Sequence, residues 1–334
     1  MQLPVYYHPT LTVLVDDSDS FLKSLSFQLD PMLAAKTFHD TSVALQWLKQ
    51  SAQPGQLPLH ASFDDFNQSA DQRSVALELD RIHRISQQRQ RFAVPAVVVV
   101  DYSMPQMNGL EFCEQLRHLP CKKILFTGAA DEKIAVNAFN RGLIERYINK
   151  SDERALDILE DEIASLQRAY FTDHSEALCE MVALHSFNFL NDVAMAALVE
   201  QLRRKHGFVE HYLFPNPSGI LFFDKRGRAR LMMIETEQGM RAQYEIARDS
   251  DAPPSLLNAL HERRVLPFFW DGDGMYSHAV GGNWHRYCLE PQVCEGRERY
   301  YWALFDLPQH YLDGSFYPYS QFLQEECAPG GIAA

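Results

Sequence analysis

Four consecutive valines end in an acid: residues 97–109 read VVVVDYSMPQMNG. Successive side chains of a strand point to opposite faces, so an unbroken β-branched run leaves no face for solvent. It predicts a strand buried on both sides, as in a parallel sheet covered by helices on each face. The flanking sequence agrees. Short apolar stretches recur at 11–15, 35–38, 123–126 and 146–148, and helical periodicity fills 19–32, 42–48, 109–119 and 131–141. Alternating strand and helix predicts an α/β, doubly wound, five-stranded parallel sheet.

In such a sheet, functional side chains collect at the carboxyl edge of the strands. Asp16, Asp17, Asp101, Thr127 and Lys150 all fall there, at the ends of four predicted strands. An aspartate after a strand is usually a turn or helix-cap residue, and Asp16 or Asp17 alone would mean no more than that. Taken together, the five bring three carboxylates, a hydroxyl and an ammonium to one edge. Carboxylates so gathered repel one another unless a cation neutralises them. An all-oxygen donor set suits Mg²⁺, which keeps several waters and takes carboxylates together with phosphate oxygens. The lysine then offers charge to a phosphate and the threonine a hydrogen bond.

The segments VLVDDSDS, VVVVDYSMPQMNGLEF, ILFTGAA and RYINK resemble the signature segments of receiver domains from two-component response regulators. The resemblance spans residues 10–150, less an inserted segment at 51–93, and implies a flavodoxin-like receiver. Carried over, it makes Asp101 the phosphoacceptor. Asp16, Asp17, Asp101 and the backbone carbonyl of Ser103 become the Mg²⁺ ligands, and Thr127 and Lys150 contact the phosphoryl group. Tyr147 matches the family's aromatic switch position, with Thr127 as its companion. The implied partner is a sensor histidine kinase or phosphotransfer protein. The implied consequence is a phosphorylation-dependent homodimer, and the chemistry is a switch acting on itself more than a turnover enzyme. Where the family usually places a proline after the lysine, this chain has Ser151.

The inserted segment is polar at 53–72, which predicts a loop, and apolar residues at 75, 77, 79, 82 and 85 suggest an extra helix over 74–90. Residues 151–206 read as a helical connector that includes the last receiver helix. From 207 the character changes to an α+β domain with a mainly antiparallel sheet. GILFFD and ARLMMIET flank the charged turn KRGR as a hairpin. Helices are expected at 237–248 and 253–264, and aromatic strands at 266–270, 284–289 and 300–305.

This second domain matches no output family. It contains neither GGDEF nor EAL, the signatures of cyclic-dinucleotide enzymes. The leading reading is a module that acts by dimerisation or partner binding. One rival is a phosphorylation-gated, metal-dependent nuclease or hydrolase using Asp224, Glu235 or Glu237, which lie at hairpin strand ends without the usual lysine. Another is a transcription regulator of unfamiliar fold that contacts nucleic acid through KRGRAR. From 205 onward there are 17 acidic against 12 basic residues, which does not indicate a polyanion-binding surface. The whole chain carries −13. The start lacks a basic segment leading into an apolar core, and the six cysteines form no CxxC, so a cytoplasmic protein with no membrane association is expected.

Overall fold

The computed structural model describes residues 3–51, 80–128, 132–183, 187–272, 274–308, 311–312 and 316–326. The predicted loop at 53–72 and the start of the predicted helix at 74–90 lie outside them. The chain forms two units that are interleaved in sequence. Of the described residues, 8–51, 88–174 and 317–326 make one unit, and 3–7, 80–87, 175–308, 311–312 and 316 make the other.

After the two-residue strand β1 (Tyr6–Tyr7), the first unit is built on β2 (Leu11–Val15), β3 (Ala35–Phe38), β4 (Pro95–Val100), β5 (Lys122–Thr127) and β6 (Arg146–Asn149). They form the expected five-stranded parallel sheet in the order β3-β2-β4-β5-β6. Every residue of β4 is buried, and its valines divide between two cores. Val98 and Val100 pack with Leu48, Phe112 and Ala138 on one face. Val97 and Val99 pack with Leu22, Leu25, Leu159 and Ile163 on the other. This alternation is why the run tolerates no polar residue until it reaches the sheet edge.

Helices α1 (Asp19–Gln28) and α2 (Thr41–Ser51) follow β2 and β3. Of the inserted segment, the described residues form a short helix, α3 (Asp80–Arg84), and 3₁₀ turns follow it. Helices α4 (Gly109–Gln115) and α5 (Glu132–Asn140) follow β4 and β5. The 29-residue α6 (Ala155–Ala183) fills the first half of the stretch expected to be a helical connector.

The second unit continues through α7 (Val193–His206), which ends on Gly207 at φ +67°, a left-handed position that glycine adopts without strain. Strands β7 (Phe208–Phe214), β8 (Gly219–Asp224) and β9 (Ala229–Thr236) lead to α8 (Glu237–Asp249) and α9 (Pro254–His261). Then come β10 (Leu266–Pro267), β11 (Cys288–Leu289), β12 (Gln292–Glu295) and β13 (Arg299–Asp306). The main sheet is antiparallel, ordered β1-β7-β8-β9-β13-β12, and the predicted β8–β9 hairpin lies at its centre. The strand expected over 284–289 is instead mostly a 3₁₀ helix, His278–Tyr287. Trp284 and Tyr287, three residues apart, share one side of that helix and are buried together, the spacing of a three-residue turn.

The last described element, α10 (Tyr319–Glu326), belongs to the first unit. The Tyr319 hydroxyl donates to the Met32 carbonyl at 2.7 Å and accepts from the Ala34 N–H at 3.2 Å. Its ring lies 5.0 Å from that of Phe92. Arg89 pairs with Glu325 and Glu326 at 2.8 and 2.9 Å. Among the described residues, no helix is long and apolar enough to cross a membrane.

Candidate functional site

Strand register assembles the acidic edge. Val15 pairs with Val100, so Asp16 and Asp101 leave adjacent strands side by side. The Asp101 N–H donates to the Val15 carbonyl at 2.9 Å, and the Asp16 N–H to the Phe38 carbonyl at 3.2 Å. On the other flank, Thr127 pairs with Asn149, and the Lys150 N–H donates to the Thr127 carbonyl at 3.1 Å. Asp16, Asp101 and Lys150 each lie one residue past a strand, and Thr127 is the last residue of β5.

The Lys150 ammonium bridges the two acids, 2.6 Å from Asp16 Oδ2 and 2.7 Å from Asp101 Oδ1. Both aspartates are buried, and the lysine is 22% exposed. Each carboxylate also accepts a backbone N–H: Ser18 donates to Asp16 Oδ1 at 2.9 Å and Ser103 to Asp101 Oδ2 at 2.7 Å. The cap of α1 is therefore Ser18, whose hydroxyl accepts from the Phe21 N–H at 3.3 Å, and Asp16 is spared for the lysine. Two aromatic rings flank the ammonium, Phe21 at 4.2 Å and Phe126 at 5.8 Å from their centroids.

Of the other residues expected here, Thr127 is fully buried and Tyr147 is half-buried against the core beneath α4 and α5. Asp17 is exposed, as is Ser103. Among the described residues, no three acidic, histidine or cysteine side chains converge closely enough to hold a metal ion by themselves. The pair that does converge, Asp16 and Asp101, presents only hard carboxylate oxygens, a donor chemistry that fits Mg²⁺. The Lys150–Ser151 bond is trans, and the Ser151 N–H donates to Asn149 Oδ1 at 2.9 Å.

The MPQMNG stretch after Asp101 closes the loop. The Asn108 side chain accepts from the Leu110 and Glu111 N–H groups, and Glu111 returns a bond to the Asn108 N–H, a reciprocal cap on α4. Gly109 passes so close to the Asp101 carbonyl that a Cβ built on it would lie 2.2 Å from that oxygen.

The candidates in the second unit do not form one site. Asp224 is spent on the β8–β9 turn: it accepts from the Arg226 and Arg228 N–H groups at 2.8 and 3.0 Å and from the Arg228 guanidinium at 2.6 Å. Burial pushes its carboxyl up, but these donors outweigh that and hold it below the usual carboxylate range. Glu235 and Glu237 lie at the far end of β9, about 20 Å along the strand from Arg228 at the ordinary rise per residue. Burial raises the Glu235 carboxyl, and Gln243 donates to it at 3.3 Å. Arg263 and Tyr301 donate to Glu237 at 2.7 and 2.8 Å, and these bonds hold it low.

Comparison with solved structures decides the family. The chain resembles the Legionella pneumophila response regulator LqsR at a TM-score of 0.77 and 32% sequence identity, over 97% of each chain. The chain belongs to the response regulator family. A model of the response regulator receiver domain matches residues 66–159, a span that contains Asp101, Thr127 and Lys150 but not Asp16 or Asp17. Two further structures are similar to about half of this response regulator. An adenylate cyclase from Rhodopirellula baltica shares 19% identity over 53% of this chain and 98% of its own, at a TM-score of 0.32. The receiver domain of a LuxO-type repressor protein from Vibrio parahaemolyticus shares 16% over 50% and 95%, at 0.33. No curated protein sequence matches the response regulator.

Proposed function

We propose that this response regulator accepts a phosphoryl group on Asp101 and that the state of Asp101 switches the antiparallel unit. The observation that carries this reading is the pairing of buried Asp101 and Asp16 on one ammonium at the edge of a parallel sheet. In the reaction, an Asp101 carboxylate oxygen attacks phosphorus. The phosphorus–nitrogen bond of a phosphohistidine breaks, and its electron pair returns to the imidazole, which takes up a proton. The donor is a sensor histidine kinase or phosphotransfer protein, which puts the response regulator in the cytoplasm.

Lys150 donates to the equatorial oxygens as charge spreads over them, and the Thr127 hydroxyl is the neighbouring donor. Asp16, Asp17, Asp101 and the Ser103 carbonyl would hold Mg²⁺, which supplies charge neutralisation at the phosphoryl oxygens. As Thr127 turns toward the new phosphate, Tyr147 follows into the space it leaves. The surface of α5, β6 and α6 then has two arrangements.

For the output, the separation of Asp224 from Glu235 and Glu237 favours binding or dimerisation over a nuclease built on all three. A transcription role through KRGRAR draws no support from the Asp224–Arg228 pair, which ties that turn to itself. Sizing by light scattering, with and without beryllofluoride and Mg²⁺, tests the switch. The wild type is expected to double in mass and Asp101→Asn to stay unchanged. A shift in both would contradict Asp101 as the trigger, and no shift in either would contradict self-association.

A further inference from the structure

Lys150 carries a long, flexible stem with four rotatable bonds, yet it must meet a phosphoryl group at one place. Asp16 and Asp101 hold its ammonium from the acid side, at 2.6 and 2.7 Å. What holds it elsewhere is aromatic. The Phe21 ring centroid lies 4.2 Å from Nζ, and the Phe126 ring is next to it, 6.2 Å from Phe21 centroid to centroid. A ring face attracts an ammonium through its quadrupole, more strongly where water is depleted, as it is beside two buried carboxylates.

Phe21 is itself fixed by the acidic loop. Asp16 accepts the Ser18 N–H, and Ser18 accepts the Phe21 N–H, so the ring rides on the turn that carries Asp16. Unlike a third carboxylate, the ring confines the ammonium without adding a negative charge that would repel an incoming phosphoryl oxygen.

We propose that Phe21 is a positioning residue for phosphoryl capture, acting through Lys150. The inference rests on Asp101 being the phosphoacceptor. It makes the identity of residue 21, which none of the expected ligands includes, a determinant of how tightly the charged phosphoryl group is held.

The test is calorimetric titration of the full chain with beryllofluoride at saturating Mg²⁺. Phe21→Leu and Phe21→Met keep apolar bulk but remove the ring, and each is expected to weaken binding by about 3- to 30-fold. Phe21→Tyr keeps a ring and is expected to restore the affinity to within about twofold of wild type. A purely packing role predicts the reverse ranking, because Met and Leu fit an apolar site that a hydroxyl disturbs. Wild-type affinity in Phe21→Leu and Phe21→Met would overturn the inference alone. Failure of the wild-type chain to bind beryllofluoride would overturn the phosphoacceptor reading and this inference with it.

Discussion

Lys150→Met is expected to destabilise the unit that carries Asp101 by about 3 kcal/mol or more at neutral pH, the cost of breaking a buried ion pair from one side. The Asp16 and Asp101 side chains are 6% and 8% exposed, and Lys150 is the cation that both contact. Methionine fills the volume of the stem but leaves two carboxylates facing each other. The remaining backbone donors, Ser18 and Ser103, serve one oxygen of each acid and place the loss at the lower end of the 3–5 kcal/mol range. Two accompanying results identify the cause. Asp101→Asn in the Lys150→Met background removes one of the repelling charges and should return part of the lost stability. Mg²⁺ should raise the midpoint of Lys150→Met more than that of the wild type, because the ion takes over the neutralisation that the ammonium provided. Chemical denaturation measures both. A Lys150→Met protein as stable as wild type without metal would contradict the geometry of the site.

Gly109→Ala is the second large effect, and its sign is opposite to the usual one. At an ordinary helix position, replacing glycine with alanine stabilises by about 0.4–1 kcal/mol through the unfolded chain. Here the added Cβ would sit 2.2 Å from the Asp101 carbonyl oxygen and 3.1 Å from Leu125 Cδ1. The oxygen belongs to the backbone and cannot rotate away, so either the loop that presents Asp101 moves or α4 does. The Gly109 N–H bond to the Tyr102 carbonyl, at 3.0 Å, moves with it. The expected loss is about 3 kcal/mol, at the upper end of overpacking costs, with phosphorylation of Asp101 impaired as well. Denaturation midpoints and phosphodonor labelling of the same preparation check this. An alanine variant with wild-type stability and labelling would show that the close approach at Gly109 is not required.

Lys150 and Phe21 differ in how far the sequence reveals them. The valine run, the strand ends and the order Asp16, Asp101, Thr127, Lys150 were legible because each follows from local periodicity and from where a parallel strand stops. Phe21 was legible only as an apolar position of a helix. Its place over Lys150 depends on the pitch of α1 relative to β6, which no local pattern encodes.

In the second unit, β7 escaped for a different reason. FVEHYLF is buried nearly throughout, yet it contains Glu210 and His211, which break the apolar signal. The structure explains their burial: Tyr212 donates to Glu210 at 2.6 Å, and His211 Nε2 meets the Pro4 carbonyl at 3.1 Å. Strand β1, two residues long, has no period to read and is defined only by its pairing with β7. The C-terminal α10 is amphipathic in the ordinary way, but its membership of the first unit rests on Tyr319 meeting Phe92 and Glu326 meeting Arg89, partners more than 200 positions apart. Glu235 and Asp224 looked alike as acids at strand ends. The register of β8 and β9 puts them at opposite ends of the hairpin, with separate partners.

Mapping the acyl phosphate tests whether the acid ending the valine strand, Asp101, is the residue that is phosphorylated. The full chain is incubated with Mg²⁺ and acetyl phosphate, reduced with borohydride to mark the phosphorylated carboxyl, and sequenced by mass spectrometry. One reduced residue is expected, Asp101, and none when Mg²⁺ is withheld. A mark on Asp16 or Asp17 instead, or no mark on any residue while Mg²⁺ and donor are present, would contradict it.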